Sequence, residues 1–210
     1  MLRILVADDH AVVRRGVSQI LSETPDMVVE GEAANGEEVL KLVQSGHWDA
    51  VLLDITMPGR SGLDILGELK LRSPNTPVLV LSMHPEDQIA VRVLKAGAAG
   101  YMTKESAPDE LVGAIRKVVS GRKYVSAELA EHLVTELGQS STGALHDSLS
   151  DREYQVLCQI AIGKPGSEIA RDLSLSVKTV STYRRRVLDK MRMRTNADLT
   201  RYAIDEQLVP

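Results

Sequence analysis

The sequence predicts a doubly wound α/β domain with a parallel five-stranded sheet, followed by a smaller all-α helix-turn-helix domain. Three observations carry this. Short, mainly apolar runs recur five times between residues 2 and 102, several too continuous to be half-exposed, which suits strands buried on both faces. Amphipathic stretches of helical period separate them, so the strands run parallel with right-handed crossovers. Beyond a stretch rich in Gly, Ser and Thr at 138–148 the pattern turns entirely helical.

Taken in order, Leu2–Ala7 is a strand that ends on Asp8-Asp9, and residues 11–22 carry Val12, Val13, Val17, Ile20 and Leu21 at helical spacing. Met27–Ala33 and Gly36–Ser45 are the second strand and helix. Ala50–Asp54 is a third strand that stops on a carboxylate, with Pro58-Gly59 beyond it and a helix at Gly62–Leu71. Pro77–Ser82 is the fourth strand, Glu86–Ala96 a helix closed by Gly97, and Gly100–Met102 a short fifth strand just before Lys104. Pro108–Ser120 is a helix whose proline suits the first turn. The first domain is assigned to 1–121. Residues 122–148 form a linker with a helix at 126–137, and 149–210 form the second domain. There, Ser150 with Glu153 makes a capping box, and Leu149 can staple onto Tyr154. That helix ends before Gly163, a second covers Ser167–Leu173, Ser176 caps a third at Val177–Met191, and a fourth covers Asn196–Glu206. Short helices with tight turns make a helix-turn-helix unit.

Composition sets bounds. With 43% apolar and 26% charged residues the chain is an ordinary globular protein; no run is long enough to span a membrane, and a cytoplasmic protein is expected. Cys158 is the single cysteine, which excludes an intramolecular disulfide and a cysteine-rich zinc site. The net charge of −4 is unevenly spread: residues 1–145 hold 14 Lys+Arg against 20 Asp+Glu, and residues 146–210 hold 11 against 9. A basic C-terminal part points to nucleic acid.

In a doubly wound sheet, ligands gather at the carboxyl ends of the strands. Asp8, Asp9 and Asp54 all stand at such ends, and three carboxylates in a small space resist joint ionisation unless a hard dication such as Mg²⁺ joins them. Ser82 ends the fourth strand with a hydroxyl. Lys104 follows the fifth with an ammonium suited to a phosphate oxygen. Metal, ammonium and hydroxyl together stabilise a transferring phosphoryl group, and Asp54 is the nucleophile expected. Alone, each of these residues reads as an ordinary loop acid or turn former; the set at four strand ends does not. His10 and His84 lie nearby and read as a helix-start residue and a loop residue.

This set, with Tyr101 ahead of Lys104, resembles a response-regulator receiver domain of flavodoxin-like fold, over roughly residues 1–121. The resemblance implies that Asp54 accepts a phosphoryl group from a sensor histidine kinase, that Asp8, Asp9 and Asp54 bind Mg²⁺ with the backbone carbonyl of Thr56, and that Ser82 and Tyr101 form a switch pair. Lys104 precedes Glu105, where many receivers have proline.

The stretch VKTVSTYRRRVLDKM (177–191) carries the second function. On a helical wheel Val180, Tyr183, Val187 and Met191 make one apolar stripe, and Lys178, Ser181, Thr182 and Arg185 lie opposite, with Arg186 at the edge and Arg184 nearer the stripe. A solvated charged face would look the same, but a basic, hydroxyl-rich face also suits a DNA major groove. The pattern LSDREYQVL…G…EIARDLSLSVKTVSTY…KM, over about 148–208, resembles the C-terminal domain of the NarL/FixJ/LuxR family of transcription regulators. By that match Ser181, Thr182 and Arg185 face bases, and Lys178 and Thr179 touch phosphates. Pro165-Gly166 stands where the family usually has Ser-Asn, and a delayed start of the second helix is expected. In the last helix Leu199, Tyr202 and Ala203 lie at i, i+3, i+4; the resemblance implies that this helix pairs two subunits, while the residues alone equally suit closing their own domain. The whole reads as a DNA-binding two-component response regulator and not an enzyme beyond its own phosphotransfer and dephosphorylation. The partners implied are a cognate kinase, promoter DNA, RNA polymerase and a second copy on DNA. A metal-dependent phosphatase and a pure interaction module are the rival classes; the first lacks a Gly-rich phosphate loop and a histidine base.

Overall fold

Five strands, β1 (Leu2–Ala7), β2 (Met27–Ala33), β3 (Ala50–Asp54), β4 (Val78–Ser82) and β5 (Gly100–Thr103), form one parallel sheet in the order β2-β1-β3-β4-β5. This is seen in a computed structural model that describes all residues except 58–59, 61, 84–85, 105, 107, 127–128, 132–143, 174, 207 and 210, and, further, omits the side chains of 86–89, 147 and 151. The strands alternate with α1 (Ala11–Ser22), α2 (Gly36–Ser45), α3 (Gly62–Arg72), α4 (Glu86–Lys95) and α5 (Pro108–Val119). Every residue of β3 and β4 is buried, because helices cover both faces of the sheet.

The period-2 geometry of the strands sorts their side chains into two cores. Leu5, Val51, Leu53 and Val80 pack with α2, α3 and α4. Ile4, Val6, Leu52 and Leu79 pack with α1 and α5. At 25 cal/mol per Å² of apolar area, side chains of this size each contribute about 1.5–3 kcal/mol when fully buried, so two filled faces hold the strand ends in fixed register. That register sets Asp54 against Leu81 and Ser82 against Thr103. The ladder runs on by one bond, Lys104 N–H to Ser82 C=O at 2.8 Å. Gly62 lets α3 start hard against the end of β3: a Cβ there would lie 2.3 Å from Ile55 Cα.

Residues 122–126, expected in the linker, lie along the sheet edge instead. Tyr124 N–H donates to Ala99 C=O at 2.9 Å and Tyr101 N–H to Tyr124 C=O at 3.3 Å, and Leu129 is buried in the α2–α3–α4 core. The unpaired edge of β5 draws this arm in, and Gly100 permits the approach, since a Cβ would meet Tyr124 O at 2.7 Å. Of the helix expected at 126–137, residues 129–131 are helical and 132–137 lie outside the described residues, as do 138–143 of the expected Gly/Ser/Thr-rich linker.

The chain divides into two compact units, Met1–Val134 and Thr135–Pro210. In the second, a 3₁₀ turn (Leu145–Ser148) leads into α6 (Asp151–Ala161), α7 (Gly166–Asp172), α8 (Val177–Met191) and α9 (Asn196–Asp205). Its own core includes Val156, Leu157, Ile169, Val180, Val187 and Leu199. Ser150 N–H donates to Glu153 Oε2 at 2.7 Å at the start of α6, and Thr179 N–H to Ser176 Oγ at 3.0 Å at the start of α8. Pro165-Gly166 does not delay α7. Pro165 is its N-cap, φ −70° and ψ 152°, and its carbonyl accepts from Glu168 and Ile169, so the ring costs the helix no donor. No helix among the described residues is long and apolar enough to cross a membrane.

Candidate functional site

The carboxyl ends of β1, β3 and β5 bring Asp8, Asp54 and Lys104 into contact. Lys104 Nζ lies 2.6 Å from Asp54 Oδ2 and 2.6 Å from Asp8 Oδ2, and all three side chains are 5% exposed or less. Burial by itself pulls the Lys104 ammonium down, but the charges and hydrogen bonds of Asp54 and Asp8 outweigh it and hold the group above its ordinary range. The other Asp54 oxygen, Oδ1, accepts from Thr56 N–H at 2.8 Å and from Thr56 Oγ1 at 2.6 Å. Both oxygens of Asp54 are thus aimed by hydrogen bonds, which fixes the carboxylate's rotamer.

Asp9 is more open, its side chain 21% exposed. His10 caps α1 in extended conformation, as a helix-start residue should, but its ring does more than the sequence disclosed. Its Nδ1 lies 3.0 Å from Asp9 Oδ1 and 3.2 Å from Asp8 Oδ1. Asp8, Asp9, His10 and Asp54 each offer a ligand atom, all within 4.8 Å of one another. Arg14, one turn into α1, donates from Nη1 to the Asp8 carbonyl at 2.7 Å and from Nε to Glu32 Oε2 at 3.0 Å, tying the β1–α1 loop to β2. Sequence reasoning missed Arg14. Its only signal was a helical position that faces back toward the strand end.

Ser82, at the end of β4, is fully buried, and so is Tyr101, which lies inside the α2–α3–α4 core. His84 and Glu105 lie outside the described residues. Three carboxylates against one ammonium leave this pocket with a local charge of −2, which a dication would balance.

In the second unit α8 separates its faces as the wheel predicts. Val180, Val187 and Met191 are buried, and Lys178, Ser181, Thr182, Arg185 and Arg186 are exposed, with Thr179 half-buried at the start of the helix. Ser181 and Thr182 each donate to the carbonyl four residues back, at 3.0 Å, which turns their oxygen lone pairs outward. Arg185 Nε lies 3.9 Å from Asp189 Oδ2, with both side chains exposed. Arg186 lies over the Tyr183 ring, 5.9 Å from its centroid. Arg184 is committed elsewhere: its Nε donates to Asn196 Oδ1 at 2.6 Å. In α9, Leu199 and Ala203 are buried in the unit's own core, and Tyr202 Oη meets His146 Nδ1 at 2.9 Å. That apolar stripe closes its own domain; Ile204, 54% exposed, stands outside it.

Residues 4–116 match the response regulator receiver domain, and residues 147–203 match the bacterial regulatory proteins of the luxR family. The response regulator UvrY of Escherichia coli (strain K12) is 36% identical over 205 residues, spanning 97% of this chain and 94% of UvrY. The response regulator GacA of Pseudomonas aeruginosa is 38% identical over 210 residues, spanning all of this chain and 98% of GacA. Among solved structures, a LuxR-family two-component response regulator from Aurantimonas sp. SI85-9A1 superposes with a TM-score of 0.62 at 32% identity, over 66% of this chain and 99% of that one. RcsB from Salmonella enterica serovar Typhimurium, bound to promoter P1flhDC in the presence of the phosphomimetic BeF3−, superposes with a TM-score of 0.60 at 25% identity, over 96% of this chain and 97% of that one. With a receiver sheet carrying an acidic pocket and a helix-turn-helix unit presenting a basic helix, the chain belongs to the LuxR family of two-component response regulators.

Proposed function

We propose that Asp54 accepts a phosphoryl group from a cognate sensor histidine kinase, and that this governs binding of the second unit to promoter DNA. The observation that supports it most is the Asp54 carboxylate itself: buried, held through Oδ1 by Thr56, and paired through Oδ2 with an ammonium that also touches Asp8. In the transfer an Asp54 oxygen forms a bond to phosphorus as the bond to the donor's imidazole nitrogen breaks, and the pair of electrons leaves with that nitrogen. Lys104 pairs with a phosphoryl oxygen as charge develops there, and the Ser82 hydroxyl donates to another. Asp8, Asp9, Asp54 and the Thr56 carbonyl would hold Mg²⁺, which when bound neutralises charge on the transferring group. Tyr101, buried on β5, is the residue through which the new charge reaches the α4–β5–α5 face in this reading.

On the output side Ser181, Thr182 and Arg185 face base edges, and Lys178, Thr179 and Arg186 grip phosphates. We assign the receiver to 1–121, with residues 122–126 along its sheet edge, and the DNA-binding domain to 149–210. The RcsB complex with promoter DNA favours promoter DNA as the partner here; our reading adds a second copy on the duplex and RNA polymerase acting downstream. A cytoplasmic setting suits both kinase and DNA. Apart from its own phosphotransfer and dephosphorylation the chain turns nothing over. The test is mass spectrometry after treatment with acetyl phosphate and Mg²⁺. One phosphoryl group is expected on wild type and none on Asp54→Asn; equal labelling of the two rejects the assignment.

A further inference from the structure

We infer that His10 is a further protein ligand in the acidic pocket, and that its imidazole tunes the site toward borderline transition-metal dications such as Co²⁺. The inference rests on the proposed metal role of Asp8, Asp9 and Asp54 and extends it to a residue of a different chemical kind.

The geometry carries it. Ligand atoms held about 2.1 Å from an octahedral metal lie about 3.0 Å apart along each edge of the octahedron. His10 Nδ1 stands 3.0 Å from Asp9 Oδ1 and 3.2 Å from Asp8 Oδ1, the spacing of neighbouring ligands around one ion. The backbone enforces this placement. His10 N–H donates to Asp8 Oδ1 at 2.8 Å, and extended backbone (φ −85°, ψ 107°) keeps the residue beside the strand end and off α1. The Asp9 contact is short but not directed as a hydrogen bond: Asp9 Oδ1 is buried and makes none. Nδ1 also stands in hydrogen-bonding position to Asp8 Oδ1 at 3.2 Å, and a metal ligated there takes the place of the proton that this bond uses. Asp54 completes the group, one ligand atom from each of the four residues lying within 4.8 Å of the others.

The chemistry then follows. Carboxylates, carbonyls and water suit Mg²⁺, whereas imidazole adds a donor whose preference rises from Mn²⁺ through Co²⁺. An all-oxygen pocket distinguishes these ions little; one with a nitrogen ligand favours the later ones. With 64% of its side chain exposed, the ring sits at the mouth of the pocket, where an ion enters.

The test uses full-length protein at pH 8 and metals alone. Electron spin-echo modulation of bound Mn²⁺ is expected to show a coordinated imidazole ¹⁴N in wild type and to lose it in His10→Ala. The other four histidines remain in the variant and serve as an internal control. Calorimetry is expected to show Co²⁺ affinity falling at least tenfold in His10→Ala and Mg²⁺ affinity by less than threefold. Wild-type Mn²⁺ without the ¹⁴N signal, or equal loss for Co²⁺ and Mg²⁺, overturns the inference and leaves His10 as an ion-pair partner that orders the loop. Asp9→Ala separates the two readings. It should abolish Mn²⁺ binding, and Mn²⁺ affinity unchanged in Asp9→Ala would overturn the acidic metal site itself along with His10's part in it.

Discussion

Arg14 shows how much of this pocket depends on one side chain outside it. The carbonyl it holds, that of Asp8, is the last before the two acids diverge, and the same guanidinium anchors on Glu32 of β2. Without it the β1–α1 loop keeps its sequence and loses its tether. Hydrogen bonds to a charged group are worth about 1.5–3 kcal/mol, and the Arg14 side chain is 17% exposed. Arg14→Ala is therefore expected to cost about 1–2 kcal/mol in urea unfolding, and to weaken Mg²⁺ binding about tenfold, as loss of a residue supporting ligands does. Calorimetry checks the second figure; unchanged Mg²⁺ affinity with lowered stability would make Arg14 a packing residue only. The acids themselves were legible because each ends an apolar run, where the sheet must place it. Neither Arg14's reach nor the inward set of the His10 ring was legible, because both depend on how a three-residue loop turns between strand and helix.

At the scale of elements, an ion pair joins α6 and α8. Glu153 Oε2 accepts from Lys190 Nζ at 2.6 Å and from Ser150 N–H at 2.7 Å, and the carboxylate is 4% exposed while the lysine is 42% exposed. Lys190 also donates to Ser148 C=O at 3.2 Å. Burial pushes the Glu153 carboxyl up, but Lys190 and the Ser150 N–H outweigh it and hold it below the ordinary value of 4.5. A carboxyl depressed on folding contributes stability that is present above that ordinary value and is lost as pH falls through the depressed one. Lys190→Met leaves a buried carboxylate without its charged partner and should cost the second unit about 1–3 kcal/mol at pH 7. The difference from wild type should shrink below about pH 4.5, once Glu153 is protonated in both. The single tryptophan, Trp48, reports only the first unit. The expected loss is thus in the far-UV dichroism transition and not in Trp fluorescence; a matching shift in both would place the effect elsewhere. Most element boundaries could be read from sequence because caps and apolar periods agree, as at Ser150 and Ser176. The arm at 122–126 could not. Its order comes from backbone bonds to β5, and Arg122-Lys123 reads as solvated linker.

For the whole molecule, two separately cored units on one chain suit control by association. A single α8 presents few base-reading side chains, and a lone module of this size binds DNA weakly unless a second copy shares the duplex. If phosphorylated receivers pair, the second DNA-binding unit is held near its half-site at an effective concentration in the millimolar range, and avidity rises by about 10²–10⁴ without any new contact to DNA. The gain must then depend on the DNA having two half-sites. Phosphorylated full-length protein is expected to bind an inverted-repeat promoter at least tenfold more tightly than unphosphorylated protein. Its affinity for a duplex carrying one half-site should change less than twofold. Fluorescence anisotropy at a single salt concentration checks both, because phosphate contacts make every affinity salt-dependent. An equal gain on one half-site would instead mean that phosphorylation frees each recognition helix singly, and pairing of receivers would no longer be needed to explain the response.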